Sequence, residues 1–249
     1  MENTNSYEID VIDSLVTITI KQDVFELLTN RTKSELLLES LNKFKTNSKI
    51  KALLFLNKPG CYGEKVYDTF LNNIISSESK SNNFEKTSFC DRIIRFRQIL
   101  TLNHFVKYIA NYNKLCFTML SGNIVTPFFG ISLATDRRFA TPETSFVLDH
   151  HKYGLHPSGG LPYFLTKRLG YERALELMLQ ESISAKQALE LGIIDKIVPN
   201  NKILEIVVKD IEKLTQLRSS SLKITKNLAA FDHKSLSEYF EYEASFLNL

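Results

Sequence analysis

The 249-residue chain has no apolar run long enough to cross a membrane, and its first six residues are polar, so neither an anchor nor a signal peptide is expected. Cysteine is scarce. Cys61, Cys90 and Cys116 are odd in number and lack metal-like spacing, so they read as reduced thiols of a cytoplasmic protein and not as a disulfide framework. No set of histidines, cysteines and carboxylates has the spacing of a metal site, so no metal is expected. An excess of one charge is also missing. Lys and Arg number 31 against 28 Asp and Glu, for a formal net charge of +3, and the two signs are interspersed. Nucleic-acid binding needs a basic stripe, which is absent, although a mildly positive protein suits an anionic ligand. With 43% apolar residues, the composition leaves one α/β domain with a small appendage.

Residues 7–20 alternate well enough for two short strands joined at Asp13-Ser14, a hairpin at a sheet edge. Residues 33–44 read as a helix with Leu36, Leu37, Leu41 and Phe44 on one face. Residues 52–56 are continuously apolar, which marks a strand buried on both sides in a mostly parallel sheet. Pro59, Gly60 and Gly63 then dictate a loop over 57–63. Residues 76–83 (SSESKSNN) form a polar insertion, and 91–112 read as a long helix carrying Ile94, Ile99, Leu102, Phe105, Ile109 and Tyr112. Three helices, 203–217, 220–231 and 236–249, close the chain. The alternation of strands and helices implies right-handed crossover units.

Residues 115–195 narrow the function. A strand over 115–120 is stopped by Ser121-Gly122, and a helix starts at Thr126-Pro127, a suitable first turn. Phe128, Phe129, Ile131, Ser132, Leu133 and Ala134 make that helix apolar or small on most sides, and Asp136-Arg137-Arg138 ends it. A second apolar segment, 145–148, runs into Asp149-His150-His151, followed by a Gly/Pro loop over 154–160 and two helices. The second, 184–191, opens on the Ser184 cap and closes at Gly192.

Gly122, the helix closing at Asp136, Phe146, Gly154, Pro157, Gly159-Gly160, Leu169-Gly170, Ala174, Leu177 and the run SAKQALELGIIDKIV resemble the crotonase, or enoyl-CoA hydratase/isomerase, superfamily in order and spacing. The resemblance implies a crotonase fold of repeated ββα units over residues 1–200. It also implies a C-terminal helical region, 201–249, packed over the acyl-thioester site, and a homotrimer or dimer of trimers. Its substrate would be an acyl-CoA or acyl-carrier-protein thioester, so CoA or phosphopantetheine arrives with the substrate and no separate cofactor is expected.

Crotonases polarise the thioester carbonyl with two backbone N–H groups and so stabilise an enolate. By the resemblance, one donor belongs to Tyr62, and the family's glycine triplet falls at Thr126-Pro127-Phe128. Pro127 has no N–H, so half of this oxyanion hole is lost unless Phe128 or Thr126 supplies it. The two glutamates that activate water in hydratases fall at Gly130 and at or beside His150, so standard hydration is not expected. Asp149-His150-His151 stands there instead. If 145–150 is extended, Phe146, Leu148 and His150 share one face and Asp149 and His151 the other, so one histidine faces the pocket. Alignment favours His150 as acid/base, oriented by Asp149 or another carboxylate; the alternative is that both histidines are hydrogen-bonded surface or interface residues. His156 is a further candidate, whereas His104 and His233 read as ordinary helix residues.

The string KYGLHPSGG resembles the decarboxylase/isomerase-type crotonases of polyketide β-branching cassettes, which act on a carrier-protein thioester. Further along, the resemblance places a lysine, Lys223 or Lys226, near the CoA phosphates and an aromatic, Phe240, near the adenine, although helix lysines are commonly just solvated surface. Two functions remain open. One is an enzyme forming an enolate on an acyl thioester, by decarboxylation or double-bond isomerisation, with hydrolysis also open. The other is a catalytically impaired homologue that binds a thioester or carrier protein without turnover.

Overall fold

The structure, a computed structural model, describes residues 2–76, 87–199 and 202–246. Asp13 takes a left-handed φ of 52°, which a short polar side chain tolerates. The chain therefore reverses at Asp13-Ser14 and pairs β2 (Tyr7–Ile12) with β3 (Leu15–Ile20) antiparallel. A two-residue strand, β1 (Glu2–Asn3), lies outside this hairpin. Beyond β3 the pairing turns parallel through β4 (Ala52–Asn57), β5 (Leu115–Leu120), β7 (Arg137–Ala140) and β10 (Lys196–Ile197). A second sheet joins β6 (Asn123–Val125), β8 (Ser145–Val147) and β9 (Ser182–Ser184). The class is mixed α/β around a parallel-strand sheet, as the sequence pattern implies.

Strand side chains alternate, so Ala52 and Leu54 of β4 and Phe117 and Met119 of β5 fall on one face of the large sheet. Leu53, Cys116 and Leu120 fall on the other. The first face is covered by Val207 and Ile211 of α9 (Ile203–Thr215). The second carries the larger core, with α1 (Val24–Thr29), α2 (Arg31–Thr46), α4 (Arg92–Ala110), α5 (Thr126–Leu133), α6 (Leu161–Leu169) and α11 (Leu236–Ala244). Coverage of both faces is why β4 and β5 read as unbroken apolar runs. The C-terminal helices thus divide between two faces.

Several elements differ from expectation. α2 starts at Arg31, where Asn30 Oδ1 accepts from the Lys33 N–H at 3.2 Å, and it buries Leu37, Leu38 and Leu41 while Leu36 is 54% exposed. The short α1, with Val24, Phe25, Leu27 and Leu28 buried, has no long period to announce it. In α4 the face is Ile99, Leu102, Phe105 and Ile109, with Ile94 exposed at its start. Three helices follow the 154–160 loop instead of two: α6 is separated by Gly170, at φ 79°, from α7 (Tyr171–Met178), and a capping box between Ser184 and Gln187 starts α8 (Ala185–Glu190). The last helical region begins with α9, continues as α10 (Ser219–Ala229) and a 3₁₀ turn (Phe231–Ser235), and ends with α11. Of the polar insertion at 76–83, residues 77–83 lie outside the described residues, as do 247–249 of the last expected helix. α3 (Glu64–Ile74) follows the 57–63 loop.

Arg137 and Arg138 do not merely stop a helix. α5 already ends at Leu133, and Arg138 is an interior residue of β7 that is 1% exposed. Its Nε donates to the Ile193 carbonyl at 2.6 Å, one terminal nitrogen to the Thr135 carbonyl at 2.7 Å and the other to Asp195 at 3.1 Å. A buried charge is tolerable when every nitrogen is used. Arg138→Met leaves the Ile193 and Thr135 carbonyls without their donor, while Asp195 keeps the bond from the residue 138 N–H; a loss of about 2 kcal/mol in urea unfolding is expected, and no measurable loss would mean that these carbonyls find other partners.

Candidate active site

Two strand ends are clamped together before any functional group is placed. Asn57, the last residue of β4, donates through Nδ2 to the Ser121 carbonyl at 2.9 Å and accepts from the Ser121 N–H at 3.0 Å. The loop after β4 and the segment after β5 therefore run side by side, and the Val125 N–H donates to the Tyr62 carbonyl at 2.9 Å. The Tyr62 ring stacks on Phe128, with centroids 4.3 Å apart and planes at 15°. The Tyr62 N–H has no acceptor among the described residues. In the first turn of α5 the amides lack helical acceptors, and Pro127 has no N–H at all. Of residues 126–128 in this turn, Thr126 and Phe128 keep an N–H, and it is the Phe128 ring that stacks on Tyr62.

The backbone beyond β8 turns earlier than expected: the strand ends at Val147, and His150 is αR at φ −57°, opening a 3₁₀ turn closed by Gly154 at φ 60°. The sidedness survives this change, since Phe146, Leu148 and His150 are buried and His151 is exposed. His150 Nδ1 lies 2.9 Å from Thr126 Oγ1, and that hydroxyl donates to the Val147 carbonyl at 3.4 Å. When the hydroxyl proton goes to Val147, Nδ1 carries the hydrogen and Nε2 is a bare acceptor; when it goes to Nδ1, the hydrogen sits on Nε2. Nε2 is buried and has no partner among the described residues. Burial, then the neighbouring His151 and His156, push the His150 pKa down to about 3, so the ring is neutral at working pH.

The group bonded to His150 is thus the Thr126 hydroxyl and not Asp149. Burial raises the pKa of the Asp149 carboxyl, and its Oδ2 has no partner among the described residues. His151 packs its ring 3.9 Å from that of His150 and donates through Nε2 to the Met178 carbonyl.

Position 130, which the family resemblance sets against the first hydratase glutamate, has no space for a side chain. A β-carbon on Gly130 would lie 2.5 Å from the Gly159 carbonyl oxygen and 2.9 Å from that of Ser158. Reciprocally, a β-carbon on Gly159, at φ 74°, would lie 2.4 Å from the Pro127 carbonyl. α5 and the 158–160 segment therefore meet backbone to backbone. Two small cavities flank the Phe128 ring. One, of about 30 Å³, is lined by Leu28, Tyr62, Phe105, Ile109 and Thr118; the other, of about 20 Å³, by Tyr67, Arg95, Leu102, Pro127 and Ser158. Each holds roughly one or two waters.

The C-terminal candidates lie elsewhere in this chain. Lys226 is 9% exposed, and its Nζ donates to Asp136 at 2.7 Å and to the Lys114 carbonyl at 2.8 Å, so its charge is already paired. Lys223 and Lys226 line a pocket of about 210 Å³ with Lys51 and Lys114, at the opposite ends of β4 and β5 from Tyr62. Phe240 is 5% exposed and packs against Gly160 at the start of α6, so its ring offers no free face. Thr126 was named from the sequence for its backbone N–H alone; its hydroxyl as the partner of His150 was missed, although it was visible as the polar residue opening an apolar helix. Among the described residues no group of three or more His, Cys, Asp or Glu side chains could hold a metal, and no helix is long and apolar enough to cross a membrane.

Residues 97–248 match the family model described as enoyl-CoA hydratase/isomerase. A trans-2-decenoyl-[acyl-carrier-protein] isomerase from Streptococcus mutans is 32% identical over 114 residues, which are 45% of this chain and 43% of the relative. The match thus spans less than half of that relative's length. The solved structure of an enoyl-CoA hydratase from Bacillus halodurans superposes with a TM-score of 0.78 at 23% identity, covering 97% of this chain and 93% of the other. One from Polaromonas sp. JS666 gives 0.73 at 21%, covering 98% and 91%. At these identities the two structures establish the fold.

The buried histidines make stability depend on pH. Folded His150 and His156 titrate at about 3 and about 4 against an ordinary 6.5, so the unfolded chain binds the extra protons and stability falls as pH drops from about 6.5 toward 4. Glu243, pushed up to about 7 by burial, acts in the other direction, adding stability below its ordinary 4.5 that is lost as pH rises through 7. His150→Gln removes one acid-sensitive group. Relative to wild type, the variant is expected to gain on the order of 2 kcal/mol between pH 7 and pH 5 in urea unfolding, and parallel curves would contradict a buried neutral His150.

Proposed function

We propose that this chain, which belongs to the enoyl-CoA hydratase/isomerase family, moves a double bond along an acyl thioester through an enolate, with His150 as the single acid/base. The observation that carries this reading is His150 itself: a buried neutral imidazole anchored through Nδ1 to the first residue of α5, with Nε2 free. The thioester oxygen would lie between the Tyr62 and Phe128 N–H groups, where negative charge develops as a proton leaves the adjacent carbon. Nε2 takes that proton from one carbon and returns it two carbons away, so the double bond shifts and no atom is lost. Hydration needs a further group to activate water, and a side chain at Gly130 has no room. A low basicity in the empty site is compatible with this role, because a developing enolate beside the imidazolium raises it. Loss of CO2 from a carboxylated acyl group asks for the same oxyanion donors and the same single acid, and it is the nearest variant of the chemistry.

The carrier is CoA or an acyl carrier protein. The relative from Streptococcus mutans is by its name an isomerase for a carrier-protein substrate, which supports testing both. For an acyl chain to enter, the Phe128 ring must turn, which would merge the two cavities beside it. A second reading rests on that ring: Phe128 is 2% exposed and stacked on Tyr62, so a site permanently filled by it would bind a thioester surface without turnover.

Incubating the protein with trans-2- and cis-3-enoyl thioesters on both carriers, followed by chromatography and mass spectrometry, separates the two. Interconversion of the isomers at constant mass is expected, with a rate loss of about 100-fold or more in His150→Gln. Bound thioester recovered unchanged would favour the binding reading, and a gain of 18 Da would mean hydration.

A further inference from the structure

Arg95, in the first turn of α4, has no part in this scheme. It is 6% exposed, yet among the described residues its guanidinium donates no hydrogen bond and makes no ion pair within 4 Å, and its buried Nε lacks any acceptor. Phe89 covers one face, with its ring centroid 5.0 Å from Cζ. Burial pulls the Arg95 pKa down to about 10, which leaves it a cation at neutral pH. No titratable group makes a direct pair with it: the Tyr67 phenol is raised by burial, His156 is pushed down to about 4, and Glu243, pushed up to about 7 by burial, acts on Arg95 through space only, with no ion pair within 4 Å among the described residues. The Glu243 carboxylate accepts from Asn103 at 3.2 Å and from the Tyr239 hydroxyl at 3.3 Å, and its nearest cationic candidate is His156 Nε2 at 3.8 Å. Arg138 shows how a structural arginine looks at comparable depth, with its side-chain nitrogens bonded to protein. Arg95 also stands where the helix dipole disfavours a cation.

The cavity that Arg95 lines also touches Pro127, Phe128 and Ser158. We infer that Arg95 receives a carboxylate at the far end of the acyl chain, so that the preferred substrate class is an enoyl thioester of a dicarboxylic acid. This rests on the placement of the thioester carbonyl at Phe128. An anion is what a buried, unpaired guanidinium lacks, and the planar fork suits a carboxylate. With the carbonyl at Phe128, the acyl chain and not the carrier runs toward this cavity, and its terminal carboxylate reaches Arg95 once the Phe128 ring turns. Ser158, 6% exposed in the same wall, offers a hydroxyl to the second oxygen.

The test uses the full chain and matched CoA thioesters, crotonyl, hexenoyl and octenoyl, each against its ω-carboxylated counterpart. Both kcat/KM and the calorimetric Kd are measured. At one chain length the carboxylated member is expected to be preferred by about tenfold or more. The ratio should fall to near one in Arg95→Met and be partly retained in Arg95→Lys. The melting temperature of ligand-free Arg95→Met should rise, because apolar volume replaces an unpaired buried charge. A fall in melting temperature would mark a structural arginine and overturn the inference. So would turnover without a carboxylate preference, or a preference unchanged in Arg95→Met, although either result leaves the enolate chemistry standing. An Arg95-dependent carboxylate preference in binding without turnover has the reverse meaning: Arg95 keeps its role and the enolate chemistry fails.

Discussion

The first turn of α5 lies directly on the backbone of the 158–160 segment, because neither Gly130 nor Gly159 carries a β-carbon. Much of the site depends on that contact. A side chain at Gly130 would force the two apart, at an overpacking cost of about 1–3 kcal/mol or more, and at Gly159 the left-handed φ adds strain for any other residue. The contact fixes the helix start, and with it Thr126, which holds His150, and Phe128, which stacks on Tyr62. It also brings Ser158 into the wall of the Arg95 cavity. The same pair of glycines that leaves no space for a side chain at position 130 therefore builds the surroundings of His150.

The interior holds two kinds of polar group, and the difference between them separates scaffold from site. Arg138 and Lys226 are buried with their charges met by Asp195, Asp136 and backbone carbonyls. These groups tie β7 and α10 to the sheet. Around Phe128 and the 154–160 loop the accounting is left open: Arg95, Asn103, Asp149, His150 and His156 each have a buried atom without a partner among the described residues. Unmet buried atoms cost free energy. Ser34, Gln98 and Asn113 have such atoms too; of the whole set, Arg95 is the one that lines a cavity beside Phe128, where a ligand can supply the missing partner.

The sequence disclosed the fold where the pattern was long and one-sided. The unbroken runs of β4 and β5, the hairpin at Asp13-Ser14, the strand–turn–helix around Gly122 and Thr126, and the Ser184 cap were all legible. Shorter elements were not. α1 spans six residues, too few for a period to stand out, and β7 was hidden because Arg138 is a charged residue inside a strand, buried only through partners distant in sequence. Around His150, alternation said that one of the two adjacent histidines turns inward and the family resemblance chose His150; the burial alternation persisted even though the strand ended at Val147. Its partner was not, because the bond to Thr126 spans 24 residues of sequence and uses a hydroxyl that reads as a helix start. Lys223, Lys226 and Phe240 carried no local signal of where their helices pack. The structure puts the lysines at the other end of the sheet and Phe240 in the core.

The proposed formation of an enolate at the Tyr62 and Phe128 N–H groups can be tested without choosing the natural acyl group. Saturated butyryl-CoA and glutaryl-CoA, incubated with the protein in D2O and analysed by mass spectrometry, have no double bond to move. They still exchange the hydrogens next to the thioester carbonyl if the site stabilises an enolate and His150 carries the proton. The account predicts deuterium uptake at that carbon in at least one of the two, and none in the His150→Gln variant. A thioester that binds and emerges without deuterium, or one that exchanges equally in the variant, would contradict it.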